Sequence, residues 1–119
     1  MERLTRGEAE VMRILWEQGE MKPAEVQERF PREIKNSALR SYLAILLKKG
    51  HVTRRLRGKA YYYRARTRRD SAFRRMLREM ADVFFGGSTE ALVCHLIKNE
   101  GLSEKELLDL KRLSEESRD

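Results

Sequence analysis

The chain has 119 residues, 26 of them Lys or Arg and 19 Asp or Glu, for a formal net charge of +7. That length suits one ordinary domain or a small domain with an extension, and the single cysteine, Cys94, excludes an internal disulfide framework. No apolar run approaches the roughly 18–20 residues that span a bilayer, and Met1 leads straight to a capped helix rather than a signal segment, so a cytoplasmic protein without membrane insertion is expected.

Thr5-Arg-Gly-Glu8 has the spacing of a capping box, in which the threonine oxygen accepts from an early helical N–H and the glutamate reaches back. Val11, Met12, Leu15 and Trp16 follow as a helical apolar stripe, with Leu4 and Ile14 nearby, and Gly19 ends it. Pro23 suits a first helical position and opens a short helix to about Arg29, with Val26 and Phe30 inward and Pro31 as its stop. A brief extended segment over residues 20–22 fits between the two helices.

A third helix is expected from Asn36 or Ser37 to Lys49, with Gly50 as its C-terminal stop and Ser37 as an alternative cap. Leu39, Leu43, Leu46 and Leu47 recur at helical spacing and form its inner stripe. The opposite face carries Asn36, Ser37, Arg40, Ser41, Ala44 and Lys48, and no acid occurs from Ser37 through Lys49. A solvated helix more often alternates Glu with Lys. A slender, small-residue face with one arginine suits the DNA major groove, which admits an α-helix.

Next come a strand, a tight turn at Arg57-Gly58-Lys59, and a second strand from Ala60 to Arg64. Tyr61 and Tyr63 share one face by alternation and are expected to pack on the core, leaving Tyr62 toward solvent or backbone. Thr67-Arg-Arg-Asp70 can cap a fourth helix, about residues 68–85, with Phe73, Met76, Leu77, Met80 and Phe84 on its buried edge. Gly86-Gly87 breaks it, Ser88 caps a fifth helix containing Leu92, Val93, Leu96 and Ile97, and Gly101 ends that one. Ser103-Glu-Lys-Glu106 is a further capping box, opening a sixth helix through Leu107, Leu110 and Leu113.

The expected fold is mainly α with a small β-hairpin: a winged helix-turn-helix over residues 1–66, then a helical region over 67–119. The last three helices have strong apolar edges and too few residues to complete a core alone. Pairing with a second copy is favoured over folding back, which makes Phe73, Met76, Leu77, Met80, Phe84, Leu92, Leu96, Leu107, Leu110 and Leu113 the candidate homodimer interface.

Charge divides along the chain. Residues 1–80 hold 21 basic and 10 acidic side chains, whereas residues 81–119 hold 5 and 9. Residues 48–78 alone carry thirteen Lys or Arg against one acid, Asp70. Such self-repulsion is relieved by a polyanion. Arg40 is the leading base reader, since a guanidinium can lie bidentate on guanine. Arg54, Arg55, Arg57 and Lys59 in the hairpin are expected on phosphates, which set register without reading sequence.

No catalytic or metal role is expected. Cys94 and His95 are helix neighbours, His51 is distant, and a zinc site needs about four ligands at recognisable spacing. No glycine-rich phosphate loop is present, and no cofactor is implied. Two other classes stay open: a winged-helix module that binds an acidic protein, and a ligand-responsive regulator with a pocket among the tail helices. The latter needs a sizeable apolar cavity, which so short a tail is not expected to enclose.

Leu4-Thr5-x-x-Glu8-x-Glu10-Val11-Met12-x-x-Leu15-Trp16, Gly19, Glu25-Val26, Lys49-Gly50, Gly58-Lys59-x-Tyr61-x-Tyr63 and Phe85-x-Gly87-Ser88 together resemble the penicillinase-repressor (BlaI/MecI) family of bacterial transcription regulators. The resemblance spans nearly the whole chain in the family's order. It implies a homodimer on a palindromic double-stranded DNA operator, with the third helix in the major groove and the last helices at the dimer contact. By that carry-over Ser37, Ala38, Arg40 and Ser41 face bases, and Arg57 and Lys59 meet phosphates. It also implies a regulatory protease as partner, acting in the fifth helix. The family's Asn-Phe cleavage pair is replaced here by His95-Leu96. The Cys-x-Cys pairs of copper-sensing relatives are absent, and the proline after the wing is Ala65.

Overall fold

The computed structural model describes residues 3–100 and 103–116. Its elements run α1 (Arg6–Gln18), α2 (Pro23–Arg29), α3 (Asn36–Lys49), β1 (Val52–Arg57), β2 (Ala60–Ala65), α4 (Arg69–Phe85), α5 (Thr89–Glu100) and α6 (Glu104–Glu116). The order is that of a winged helix-turn-helix followed by a helical region. The chain divides into two compact units, Met1–Arg69 and Asp70–Asp119. Gly101, expected to break α5, and the side chain of Leu113 lie outside the described residues.

In the first unit, α1 starts as its sequence dictates. Thr5 Oγ1 accepts from Glu8 N at 3.3 Å, and Glu8 Oε1 accepts from Thr5 N at 3.1 Å. Glu8 also takes a 2.8 Å hydrogen bond from Lys49 Nζ, so one carboxylate caps α1 and holds the far end of α3. At the start of α2, the Glu25 carboxylate accepts from Lys22 N at 3.1 Å. Val11, Met12, Leu15, Val26, Leu39, Leu43 and Leu46 close the core between three helices. Leu47 is only partly buried.

Lys35 stands at the N-cap of α3, without a side-chain bond to the helix. Ser37 is therefore inside the first turn and does not cap it. Gly50 ends α3 in the left-handed region, φ 82°, and its N–H turns back to the Leu46 and Leu47 carbonyls. An L side chain there would be strained, so glycine makes the sharp exit into β1.

Strands β1 and β2 pair antiparallel from Val52↔Ala65 to Arg57↔Ala60, leaving Gly58-Lys59 as a two-residue loop. Met21 exchanges two backbone hydrogen bonds with Tyr63, 2.9 and 2.8 Å, and so anchors the expected extended segment to the hairpin. Only the base of the hairpin reaches the core. Val52 and Tyr63 are buried, but Tyr61 is 43% exposed, contrary to the expectation that it packs inside. Period-2 alternation gives the face correctly; it does not say that the wing overshoots the helices beneath it. Tyr62, on the other face, is half-buried beneath Lys22 and Arg57.

Thr67 does not cap α4, which begins two residues later. Its hydroxyl meets His51 Nδ1 at 2.8 Å, and its carbonyl accepts from Trp16 Nε1 at 2.8 Å. Both bonds tie Thr67 into the first unit, and they leave Trp16 at the core's edge rather than inside it.

In the second unit, α4 and α5 are separated by Gly86 and Gly87, both at positive φ, with Gly87 N donating to Ala81 O at 3.0 Å. Ser88 Oγ caps α5 through Ala91 N at 3.0 Å, and Ser103 Oγ caps α6 through Glu106 N at 3.2 Å. The expected buried edge of α4 is not buried. Met76, Met80 and Phe84 are exposed, Phe84 by 72%, while Phe73 and Leu77 are half-covered. Three short helices offer too little surface to bury every apolar stripe. Among the described residues no single helix is long and apolar enough to cross a membrane.

Candidate nucleic-acid interface

The three fully buried leucines of α3 fix its rotation, since Leu39, Leu43 and Leu46 all lie at 0% exposure. The opposite face then turns outward as a geometric consequence. Asn36, Ser37, Ala38, Arg40, Ser41, Ala44 and Lys48 are all exposed. The face is acid-free, small in profile, and backed by a rigid core.

Its side chains are partly organised by one another. Arg40 Nε donates to Asn36 Oδ1 at 2.8 Å, a pairing that the i,i+4 spacing permits. Asn36 Nδ2 donates to Gln27 Oε1 at 3.0 Å, and Gln27 Nε2 donates to the Ile34 carbonyl at 3.0 Å. The row runs from the loop before α3, through α2, to the outward guanidinium. It leaves both terminal nitrogens of Arg40 free to donate outward.

The hairpin displays its cations on two faces. Arg54 pairs across the ladder with Tyr63, and its guanidinium lies 4.2 Å from the Tyr61 ring centroid while donating to Tyr63 Oη at 3.2 Å. Arg55 and Arg57 occupy the other face, and both converge on Glu20. Arg55 Nη2 and Arg57 Nη1 reach the same Oε1 at 3.0 and 3.1 Å. The hydrogen bonds from Arg55, joined by those from Arg57, hold the Glu20 carboxyl below its ordinary pKa. Lys59 stands exposed at the loop, the two-residue turn between the strands. Three of the four expected phosphate ligands therefore already have intramolecular partners.

Glu20 and Gln27 carry no local sequence signal of a functional role. Glu20 looks like an ordinary surface acid until Met21 pairs with Tyr63 and draws it against the wing. Gln27 sits in a helix with no recognisable motif, and its role exists only once α2 and α3 cross.

In the second unit, Leu92 is covered within the chain, Leu96, Leu107 and Leu110 are half-covered, and Met76, Met80, Val83 and Phe84 form one exposed apolar face of α4. An open groove of about 700 Å³ runs along Leu77, Leu92, Leu96, Leu107 and Leu110. This depression is an open groove and not an enclosed cavity, as the shortness of the tail leads one to expect. His95 and Leu96 lie inside α5. The His95 ring is 5.5 Å from that of Phe85, and His95 O accepts from Asn99 Nδ2 at 3.0 Å.

Comparison with known proteins identifies the family. The family model described as "Penicillinase repressor" matches residues 4–116. The chain is also 24% identical over 110 residues to the penicillinase repressor of Staphylococcus aureus, covering 91% of this chain and 87% of that protein. The match to the family model spans both compact units. The chain belongs to the penicillinase repressor family.

Proposed function

We propose that this member of the penicillinase repressor family is a non-catalytic, sequence-specific DNA-binding repressor, acting in the cytoplasm as a homodimer on a palindromic operator. The observation that carries the reading is the exposed, acid-free face of α3, held outward by three fully buried leucines. In the proposed complex α3 enters the major groove, Arg40 reads a guanine, and Ser37, Ala38 and Ser41 line the contact. Lys48 and the wing residues Arg54, Arg55, Arg57 and Lys59 meet the flanking phosphates.

The exposed apolar face of α4 supports the dimer, because Met76, Met80, Val83 and Phe84 gain a cover when a second copy docks. Two copies then grip two half-sites, the usual arrangement for helix-turn-helix proteins. A regulatory protease acting at His95-Leu96 would have to unwind α5 locally, since both residues are inside that helix. The groove along α5 and α6 is the one observation that favours the ligand-responsive alternative. In that case a small apolar effector would raise the Tm of the free protein and lower its affinity for DNA.

The test is the salt dependence of binding by the full chain to a duplex selected from a random pool. Log K should fall linearly with log salt, by about 0.9 for each phosphate neutralised. Arg40→Ala should relax base preference, and Lys59→Ala should weaken all sequences alike and flatten the slope by about one contact. A flat salt dependence refutes DNA binding by this face.

A further inference from the structure

The structure assigns Gln27 of α2 a part in base discrimination: it is a positioning residue that orients Arg40 through Asn36. The inference rests on the proposed reading of Arg40 as a base contact. The direction of every bond in the row follows from donor chemistry. Arginine can only donate, so the Asn36 atom facing Arg40 Nε must be the oxygen. The Asn36 nitrogen is then turned toward Gln27, which must present its own oxygen there. The Gln27 nitrogen is left facing the Ile34 carbonyl. Distances of 2.8, 3.0 and 3.0 Å along this path make each link a good hydrogen bond.

Two consequences follow for recognition. The guanidinium loses freedom about its last torsions before DNA arrives, so less ordering is required on binding. Its Nε–H is already engaged, which directs the two terminal nitrogens together toward a guanine O6/N7 edge. Gln27 itself touches no base, and its contribution is to the selectivity of Arg40 rather than to phosphate affinity. Gln27 also fixes the loop that delivers the chain into α3, so the base-reading side chain and the start of its helix share one support.

The experiment measures affinities of the full chain, by fluorescence anisotropy, for a selected duplex and for variants with each G·C pair changed in turn. Gln27→Ala should shrink the discrimination at the Arg40-dependent base pair by about 3- to 10-fold, the worth of the hydrogen bond from Asn36, which is the one of its two lost bonds that bears on Arg40. The salt slope should stay unchanged, because no phosphate contact is lost. Gln27→Glu keeps the acceptor for Asn36 and should retain more discrimination than Gln27→Ala. Adding Gln27→Ala to Arg40→Ala should cost no further selectivity, the mark of two residues acting through one contact. NMR of the free protein supplies a readout without DNA: the Arg40 Nε–H should exchange faster with solvent in Gln27→Ala. Unchanged exchange overturns the relay while leaving the base reader standing. Base preference insensitive to Arg40→Ala overturns the base reader and the inference with it. Equal weakening of all duplexes by Gln27→Ala, matched by a fall in Tm, reduces Gln27 to a structural residue and also overturns it.

Discussion

Replacing Lys49 by methionine keeps a stem that packs like lysine's and deletes only the ammonium, which isolates the ion pair holding α3 to α1. The partner carboxylate of Glu8 is 3% exposed and Lys49 is 20% exposed, with 2.8 Å between Nζ and Oε1. Lys49 Nζ also donates to the Arg3 carbonyl at 3.0 Å. Losing a hydrogen bond to a charged group costs about 1.5–3 kcal/mol, less than the roughly 3–5 kcal/mol of breaking a fully buried pair. About 2 kcal/mol in a domain of this size corresponds to a fall in Tm of about 8–16 °C. The pH dependence gives a second, independent check. Burial works against ionisation of Glu8, but the bonds from Lys49 and Thr5 outweigh it and depress the carboxyl pKa. A depressed carboxyl stabilises the fold above its ordinary pKa of about 4.3, and that contribution vanishes as pH falls through the lower folded value. In Lys49→Met, burial is opposed by Thr5 alone, the carboxyl protonates more readily, and less is lost on acidification. The gap between wild type and variant should therefore be widest near pH 7 and close progressively below pH 5. Thermal melts at pH 7, 5 and 4 read both effects, and Glu8→Gln in the Lys49→Met background should recover part of the loss. A Tm within 2 °C of wild type at pH 7, or a gap constant with pH, refutes the reasoning.

Glu20→Gln removes the carboxylate that engages Arg55 and Arg57, so binding to any duplex should tighten at low salt and the salt slope should steepen by up to about 0.9 per added phosphate contact. Selectivity between operator and random duplex should fall, with little change in Tm, because exposed ion pairs contribute little to stability. Weaker binding with an unchanged slope would mean instead that Glu20 holds the two arginines in their DNA-binding posture. Phe84→Asp places a charge on a side chain that is 72% exposed in the single chain. Light scattering should then report the 14.1 kDa mass of one copy where wild type reports twice that, with operator affinity reduced. An undiminished dimer mass would remove the α4 face from the interface.

Helix boundaries, the wing and the inward stripe of α3 were legible because each is written in local chemistry. Thr5 with Glu8, Pro23, Gly50 and the pair Gly86-Gly87 act within a few residues of themselves. The outward face of α3 was legible for the same reason, as the complement of three leucines at helical spacing. What escaped depends on distant segments meeting. Gly7 is an example: within α1 it looks like a weak helix former, yet a side chain there would collide with the ring of Tyr42 on α3. The glycine is a clearance for a tyrosine 35 positions away. Thr67 reads as a cap because it stands three residues before Asp70, but His51 and Trp16 claim its polar atoms first. Tyr61 reads as core because alternation specifies a face without a depth.

The same distinction bears on how a strongly basic chain can be selective. Thirteen cations in residues 48–78 would grip any phosphate backbone. The fold withholds several of them: Arg55 and Arg57 share Glu20, Arg69 reaches Glu17 at 3.6 Å, and Lys49 is committed to Glu8. Earlier in the chain Arg32 makes a two-point contact with Glu10 at 2.6 and 3.1 Å. Each of these acids precedes α2, so the first helix and its exit supply the counter-charge for cations that follow it. Arg40 is treated differently, since its partner Asn36 is neutral and takes only the Nε–H. Its charge is left undiminished on a face with no acid, while the charge of Arg55 and Arg57 on the wing is partly cancelled by Glu20. On the proposed reading this arrangement restrains nonspecific affinity without blunting Arg40, and exchanging the two kinds of partner should exchange the two effects.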